Sequence, residues 1–235
     1  MPESVAKGDF VKIEFTGTRQ SDGSVFDTTD AAKAKEAGVF SEKAKYAPKL
    51  VAVGKGMVVP GLDEALEGMA PGEEKSVEAA PEKAYGPRSP SRVRIVPISE
   101  FRKQGLSPEP GMMFELDGTP ALVRSVTSGR VMVDLNHPLA GETLAFKVKL
   151  VEKISGTENR AKALLEDCGL KFESARLAGS SLEVSFPKSG KPDAETFVSK
   201  VGFIRAAKEL LPEITSFETR ETYLLAESGG KKAED

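Results

Sequence analysis

Cysteine and histidine are almost absent from this chain. Of its 235 residues, one is cysteine, Cys168, and one is histidine, His137. A lone cysteine excludes an intrachain disulfide. A His/Cys metal site needs several such ligands, and one of each in separate segments does not supply them, so no metal and no cofactor is expected. A Ser-His-Asp triad would have to run through His137. Its surroundings, Asn136-His137-Pro138, read as a turn, and a turn histidine is the better reading. Long apolar runs are also missing, so no membrane span is expected. Met1 to Asp9 is polar and lacks the apolar core of a signal peptide. These features together imply a cytoplasmic protein. Charge of one sign is not in excess: 33 basic and 36 acidic residues leave a net −3. A nucleic-acid binder usually carries a basic face, so no nucleic-acid partner is expected.

What remains is an ordinary globular composition, 39% hydrophobic and 29% charged, in a length that suits roughly one to three domains. Val11, Ile13 and Phe15 alternate with polar residues, which predicts a half-buried strand. Asp22-Gly23 is a turn before a short strand at Val25-Phe26. Ala, Lys and Glu dominate 30–46, with a helix predicted near 31–37 and ended by Gly38. Leu50-Val51-Ala52-Val53 reads as a buried strand. Leu62, Ala65, Leu66 and Met69 fall on one helical face, and Lys75 to Ala80 resumes a strand. Pro87, Pro90 and Pro97 then punctuate the chain. The unit 88–136 is predicted to hold a helix at 99–104 and strands near 112–116, 120–126 and 130–135. Alternation through Leu144, Phe146, Val148 and Leu150 is the clearest strand of all, as if an interrupted domain resumed there.

Beyond Ser155-Gly156, Thr157 is placed as the cap of a helix that turns Ala161, Leu164, Leu165 and Cys168 to one face, with Gly169 ending it. Strands follow near 170–177 and 181–187. A helix at 193–210 is expected to carry Phe197, Val201, Ile204 and Leu211 inward. A strand at 214–225 closes an αββαβ order, that of an α+β domain. The polar tail 229–235 is expected to be disordered.

Three segments together resemble the FKBP family of peptidyl-prolyl cis–trans isomerases. They are Phe15-Thr-Gly-Thr with Asp22-Gly-Ser-Val-Phe-Asp-Thr28; Val53-Gly-Lys-Gly-Met-Val-Val-Pro-Gly-Leu-Asp-Glu-Ala-Leu66; and Ala84-Tyr-Gly86 with Leu144-Ala-Phe-Lys-Val-Lys-Leu150. The long interval before the last strand, ending in Asn136-His-Pro-Leu-Ala-Gly141, is similar to the insert-in-flap domain of SlyD-like members. The bulge after Phe26-Asp27 and the extra C-terminal domain resemble long archaeal members. The resemblance implies an α+β fold: an antiparallel sheet wrapped on a short helix, an inserted, mainly β domain, and the C-terminal αββαβ domain. The implied division is an isomerase domain over 1–87 and 137–154, a chaperone insert over 88–136, and a C-terminal domain over 155–228.

The same resemblance implies a pocket lined by Phe15, Phe26, Met57, Val58, Val59, Leu62, Tyr85 and Phe146. Leu62 would be its floor. The Val59 N–H and the Tyr85 hydroxyl would bond substrate carbonyls, and Asp27 would sit at the edge as an acceptor. Lys49 would stand where relatives place an apolar rim residue. Burial alone also explains Val59, Leu62 and Phe146. Asp27 fits equally a cap of the Thr28-Thr29 turn, and Tyr85 a turn aromatic. In the insert, Met112, Phe114, Leu122 and Val131 are candidates for a client-binding surface, methionine suiting promiscuous apolar contact. Alternation along strands would turn about half of such residues into the insert's own core. The expected partners are unfolded or partly folded proteins and proline-containing peptides, with a homodimer through the C-terminal domain. A holdase without turnover is the alternative reading.

Overall fold

The computed structural model describes residues 4–189, 191 and 193–224; the tail predicted at 229–235 lies outside them. In chain order the elements are β1 (Phe10–Arg19), β2 (Val25–Thr28), α1 (Ala31–Glu36), β3 (Lys49–Ala52), α2 (Pro60–Leu66), β4 (Glu74–Ala79), β5 (Val93–Pro97), α3 (Ile98–Lys103), β6 (Met113–Leu116), β7 (Thr119–Thr127), β8 (Arg130–Asp134), β9 (Leu144–Ile154), α4 (Thr157–Asp167), β10 (Ser174–Ala178), β11 (Ser181–Ser185), α5 (Ala194–Leu210) and β12 (Ser216–Arg220). The chain is α+β and divides into two compact units. One holds the residues up to Gly17, Val25–Val77 and those from Phe146 on; the other holds Thr18–Ser24 and Glu78–Ala145.

The first sheet runs β2-β1-β9-β4, and β3 pairs with β1 antiparallel, from Phe10 opposite Ala52 to Ile13 opposite Lys49. The period of two predicted from sequence holds: Val11, Ile13 and Phe15 on β1 and Leu144, Phe146, Val148 and Leu150 on β9 are buried. Leu62 and Leu66 of α2 are buried as well. That helix stops a turn earlier than the apolar spacing suggests. Gly68 takes φ +81°, a conformation only glycine adopts freely, and Met69 reaches the core from the loop beyond. Buried Asp63 accepts the Gly54 N–H at 2.9 Å and the Gly56 N–H at 3.2 Å, which fixes the turn before α2.

The C-terminal elements follow the predicted αββαβ order. β11 pairs antiparallel with β10 and parallel with β12. Ala161, Leu164 and Leu165 of α4 share one apolar core with Leu182, Val184 and Phe203, and that core also takes in Phe10, Leu50 and Ala52. Two details differ from expectation. Gly156 occupies the cap position of α4 without a side-chain bond; Thr157 is instead the first helical residue, its hydroxyl donating to Glu213 at 3.0 Å. On α5 the buried residues are Phe203 and Ala207, with Leu211 just beyond the helix. Phe197, Val201 and Ile204 are exposed, at 67%, 52% and 39%. Apolar residues occupy much of this helix, so periodicity did not single out a face. Packing chose the one on which Phe203 meets Phe217, ring centroids 4.8 Å apart, about a quarter-turn from the predicted stripe.

The other unit contains the sheet β5-β8-β7-β6. Phe101, Val123, Val131 and Val133 form its core, with Phe114 against Phe101 at 4.9 Å. Strand β5 is not among the predicted strands: it is an edge strand that among the described residues pairs with β8 alone and ends at Pro97, in a stretch punctuated by Pro90 and Pro97. The ends of the insert are tied by buried Asn136. Its amide donates to the Ser89 carbonyl at 3.0 Å, and its carbonyl accepts the Ser89 N–H at 2.9 Å. The Gly141 N–H to Gly86 carbonyl bond, 2.9 Å, closes the same neck.

Candidate active site

Three aromatic side chains meet where β1, β2 and β9 lie side by side. Phe146 stands edge-on to Phe26 with ring centroids 5.8 Å apart and is tilted against Phe15 at 6.3 Å, both within the favourable range for such pairs. The neighbouring backbone must be glycine. A Cβ at Gly17 would lie 2.6 Å from the Phe26 ring and 3.0 Å from Phe146. Gly17 therefore lets two rings close over the strand. It sits inside the Phe15-Thr-Gly-Thr motif, but nothing in the sequence said which rings would cover it.

Hydroxyls fix β1 to β2. Thr28 donates to the Phe15 carbonyl at 3.1 Å, and Thr29 accepts the Phe15 N–H at 2.9 Å. The helix that follows is capped by Asp30, whose carboxylate accepts the N–H groups of Ala32 at 2.8 Å and Lys33 at 3.3 Å. Asp30 thus caps the helix, while the Asp27 side chain has no hydrogen bond to the Thr28-Thr29 turn among the described residues. Asp27 is exposed and faces a cavity of about 360 Å³ bounded by Phe15, Phe26, Val39, Tyr46, Pro48 and Lys49. Stacking of Phe40 on Tyr46, 5.1 Å apart, stiffens the bulge that forms one wall. Lys49 lines the cavity, so its rim carries charge there. Asp167, at the end of α4, lines it as well. Burial raises the Asp167 pKa, and Lys45 and Lys49 pull it back. Sequence reasoning missed Asp167, because no local signal links it to a strand so distant in the chain.

The remaining predicted residues are distributed as follows. Val58 and Val59 are half-buried at the start of α2. The Val59 carbonyl accepts the Leu62 and Asp63 N–H groups, both at 3.0 Å, while its own N–H bonds to none of the described residues. Leu62 is buried at 1% exposure, as a floor or a core residue would be. Met57 packs beside the core shared with the C-terminal elements, and its sulfur accepts the Ala52 N–H at 3.2 Å. None of these four lines the 360 Å³ cavity. In the other unit, Tyr85 lies on His137, ring centroids 3.9 Å apart and 6° from parallel. His137 Nδ1 accepts the Leu139 N–H at 3.1 Å. Loss of solvent around the ring lowers its pKa. The histidine is in a turn, as predicted, but its ring supports Tyr85.

The insert candidates need one correction. Val131 is fully buried in the insert core, because the inward positions of β8 are Val131 and Val133. Met112 and Phe114 pack partly buried against that core, and Leu122 is half-buried. The exposed apolar side chains are Ile95, Met113 and Met132, and Ile95 is directly opposite Met132 across the β5–β8 pair.

An α+β chain with an aromatic corner edged by a carboxylate is thus interrupted before β9 by a small β unit, a domain with an inserted module. The family model described as FKBP26, IF domain, matches residues 94–139. The short-type peptidyl-prolyl cis-trans isomerase of Methanocaldococcus jannaschii is 37% identical over 146 residues, 62% of this chain and 92% of that protein. SlyD of Treponema pallidum, an FKBP-type peptidyl-prolyl cis-trans isomerase, is 33% identical over 165 residues, 68% of this chain and 85% of its own. The FKBP-type 16 kDa isomerase of Escherichia coli is 29% identical over 157 residues, 65% of this chain and 95% of that one. The chain belongs to the FKBP-type peptidyl-prolyl cis–trans isomerases.

Proposed function

We propose that this chain, a peptidyl-prolyl cis–trans isomerase by family, accelerates protein folding by twisting X-Pro bonds in the cavity lined by Phe15, Phe26 and Asp27, with buried Phe146 packed against the two rings. An X-Pro bond turns over a barrier of about 18–20 kcal/mol and takes roughly tens to hundreds of seconds unaided. No bond breaks, so neither nucleophile nor metal is required. At the twisted state the amide loses resonance and with it charge separation across C–N. A water-poor aromatic surface favours that state over the solvated planar amide, and hydrogen bonds to the flanking carbonyls hold the peptide in place.

The observation that carries the reading is the aromatic corner with Asp27 beside it. The three rings pack on one another, and the exposed Asp27 carboxylate at the cavity has no hydrogen bond to the Thr28-Thr29 turn among the described residues. The Val59 N–H, which bonds none of the described residues, is assigned a substrate carbonyl, and a carbonyl-binding role is proposed separately for the Tyr85 hydroxyl. A protease-coupled assay on a proline tetrapeptide tests this. Rates that do not change with added protein would exclude turnover and leave the holdase reading.

The insert is assigned a second activity, holding unfolded clients. Exposed Ile95, Met113 and Met132 support it, since clustered apolar surface on a small sheet suits transient binding of extended chain. The exposed apolar stripe Phe197, Val201 and Ile204 on α5 supports pairing of two copies, because in a two-fold contact the same patch of each copy faces the other. A single cysteine is consistent with work in the cytoplasm.

A further inference from the structure

A second cavity, of about 220 Å³, opens entirely within the unit that contains the insert. Its floor is apolar, from Met113, Pro120 and Leu122, and its walls carry Arg88, Arg92 and Arg124 around a single carboxylate, Asp134. Asp134 is 2% exposed. It accepts from Arg124 Nε at 3.0 Å, from the Asn136 backbone and side chain at 2.9 and 2.8 Å, and pairs with Arg88.

The charges do not balance. One buried carboxylate holds two guanidinium groups, so a positive charge is left over there. Arg92 adds another: its backbone carbonyl accepts the Leu135 N–H, but its side chain has no ion pair or hydrogen bond among the described residues. Nearby Arg94 is engaged by Asp117 at 3.6 Å, and so does not compete for an incoming anion. The remaining titratable lining group is His137, whose pKa is lowered by desolvation and which is neutral near pH 7. Met113, Leu122 and Asp134 lie opposite one another across β6, β7 and β8. The apolar floor is therefore next, on one sheet, to the carboxylate that gathers Arg88 and Arg124, and Arg92 lines the same cavity from the turn before β5.

We propose that this cavity binds an extended client segment in which an acidic residue neighbours an apolar one. The apolar side chain would rest on Met113 and Leu122, and the carboxylate would bond the free guanidinium of Arg92. The volume suits side chains of an unfolded segment, and arginine binds carboxylates through paired, charge-assisted hydrogen bonds. The proposal rests on the reading of the insert as a client-binding module and gives that module a chemical preference.

Three acetylated and amidated fluorescent decapeptides, free of proline and differing only in a central Leu-Glu-Leu, Leu-Gln-Leu or Leu-Lys-Leu, test it by anisotropy with the full chain. The Glu peptide should bind roughly tenfold tighter than the Gln peptide at low ionic strength, and the Lys peptide weakest. The Glu advantage should shrink as salt rises and vanish in Arg92→Gln. Arg92→Lys keeps the charge and should retain part of it, which separates loss of charge from loss of fold. Equal binding of the Glu and Gln peptides, or a preference that survives in Arg92→Gln, would overturn the cationic site while leaving the client-binding insert standing. Binding of none of the three would overturn both.

Discussion

Tyr85 and His137 form a flat stack, ring centroids 3.9 Å apart and planes 6° from parallel. The backbone of the same turn sets the imidazole, since Leu139 N–H donates to Nδ1 and leaves the proton of the neutral ring on Nε2. A phenol resting on a fixed ring has its hydroxyl aimed by a partner far along the chain. On the role proposed for Tyr85, that makes His137 its positioning residue.

Replacing His137 with Ala should therefore lower kcat/KM for a proline tetrapeptide by roughly threefold to tenfold, as loss of orientation does, while Phe in its place should restore much of it. Equal losses in both variants would show that the imidazole, not the stacking surface, matters. The histidine also gives a pH signature. Its pKa is depressed in the folded chain from an ordinary 6.5, so the folded state disfavours its protonation. Its contribution to stability is present above pH 6.5 and is lost as pH falls through the lower folded value. Urea midpoints of the wild type should fall across that acid window more than those of His137→Phe.

Asp27 faces the cavity and its side chain bonds none of the described residues, so its removal should affect turnover and not folding. Asp27→Ala is expected to slow isomerisation about tenfold, the scale of losing one well-placed electrostatic group, with an unchanged melting temperature. A full rate in the variant would overturn the role proposed for Asp27, with Asp167, on the same cavity, the next to replace.

Gly17 leaves no room for a side chain. A valine there would drive atoms into Phe26 and Phe146, and overpacking of this kind costs about 1–3 kcal/mol. Gly17→Val should lower the urea midpoint and reduce isomerase activity together, and Gly17→Ala should do both to a smaller degree. An alanine variant indistinguishable from wild type would show that the rings move aside freely.

The exposed stripe on α5 predicts concentration-dependent pairing. Light scattering on the full chain should give twice the monomer mass of 25.1 kDa, and Phe197→Glu should return it to the monomer while leaving the isomerase rate unaltered. A monomer at all concentrations would end the pairing proposal.

Much of this was legible in the residues. Alternation through Val11–Phe15 and Leu144–Leu150 determined two central strands, because a period of two on a half-buried sheet leaves few other solutions. The three motifs carried the family, and the interval between Gly86 and Leu144 located the insert. What the sequence could not determine depended on packing between distant segments. Phe203 rather than Phe197 faces the core because the sheet behind it presents Phe217. Val131 is core rather than surface because β8 alternates with that phase. Asp167 reaches the cavity rim because α4 joins the core that holds Phe10 and Leu50. Tyr85 and His137 each looked like an ordinary turn residue, and their pairing became visible only once the chain folded. Local periodicity depends on neighbours a few residues apart. Which face is buried, and which side chains meet, depends on segments that the fold alone brings together, and the opposed rings of Tyr85 and His137 are the clearest instance.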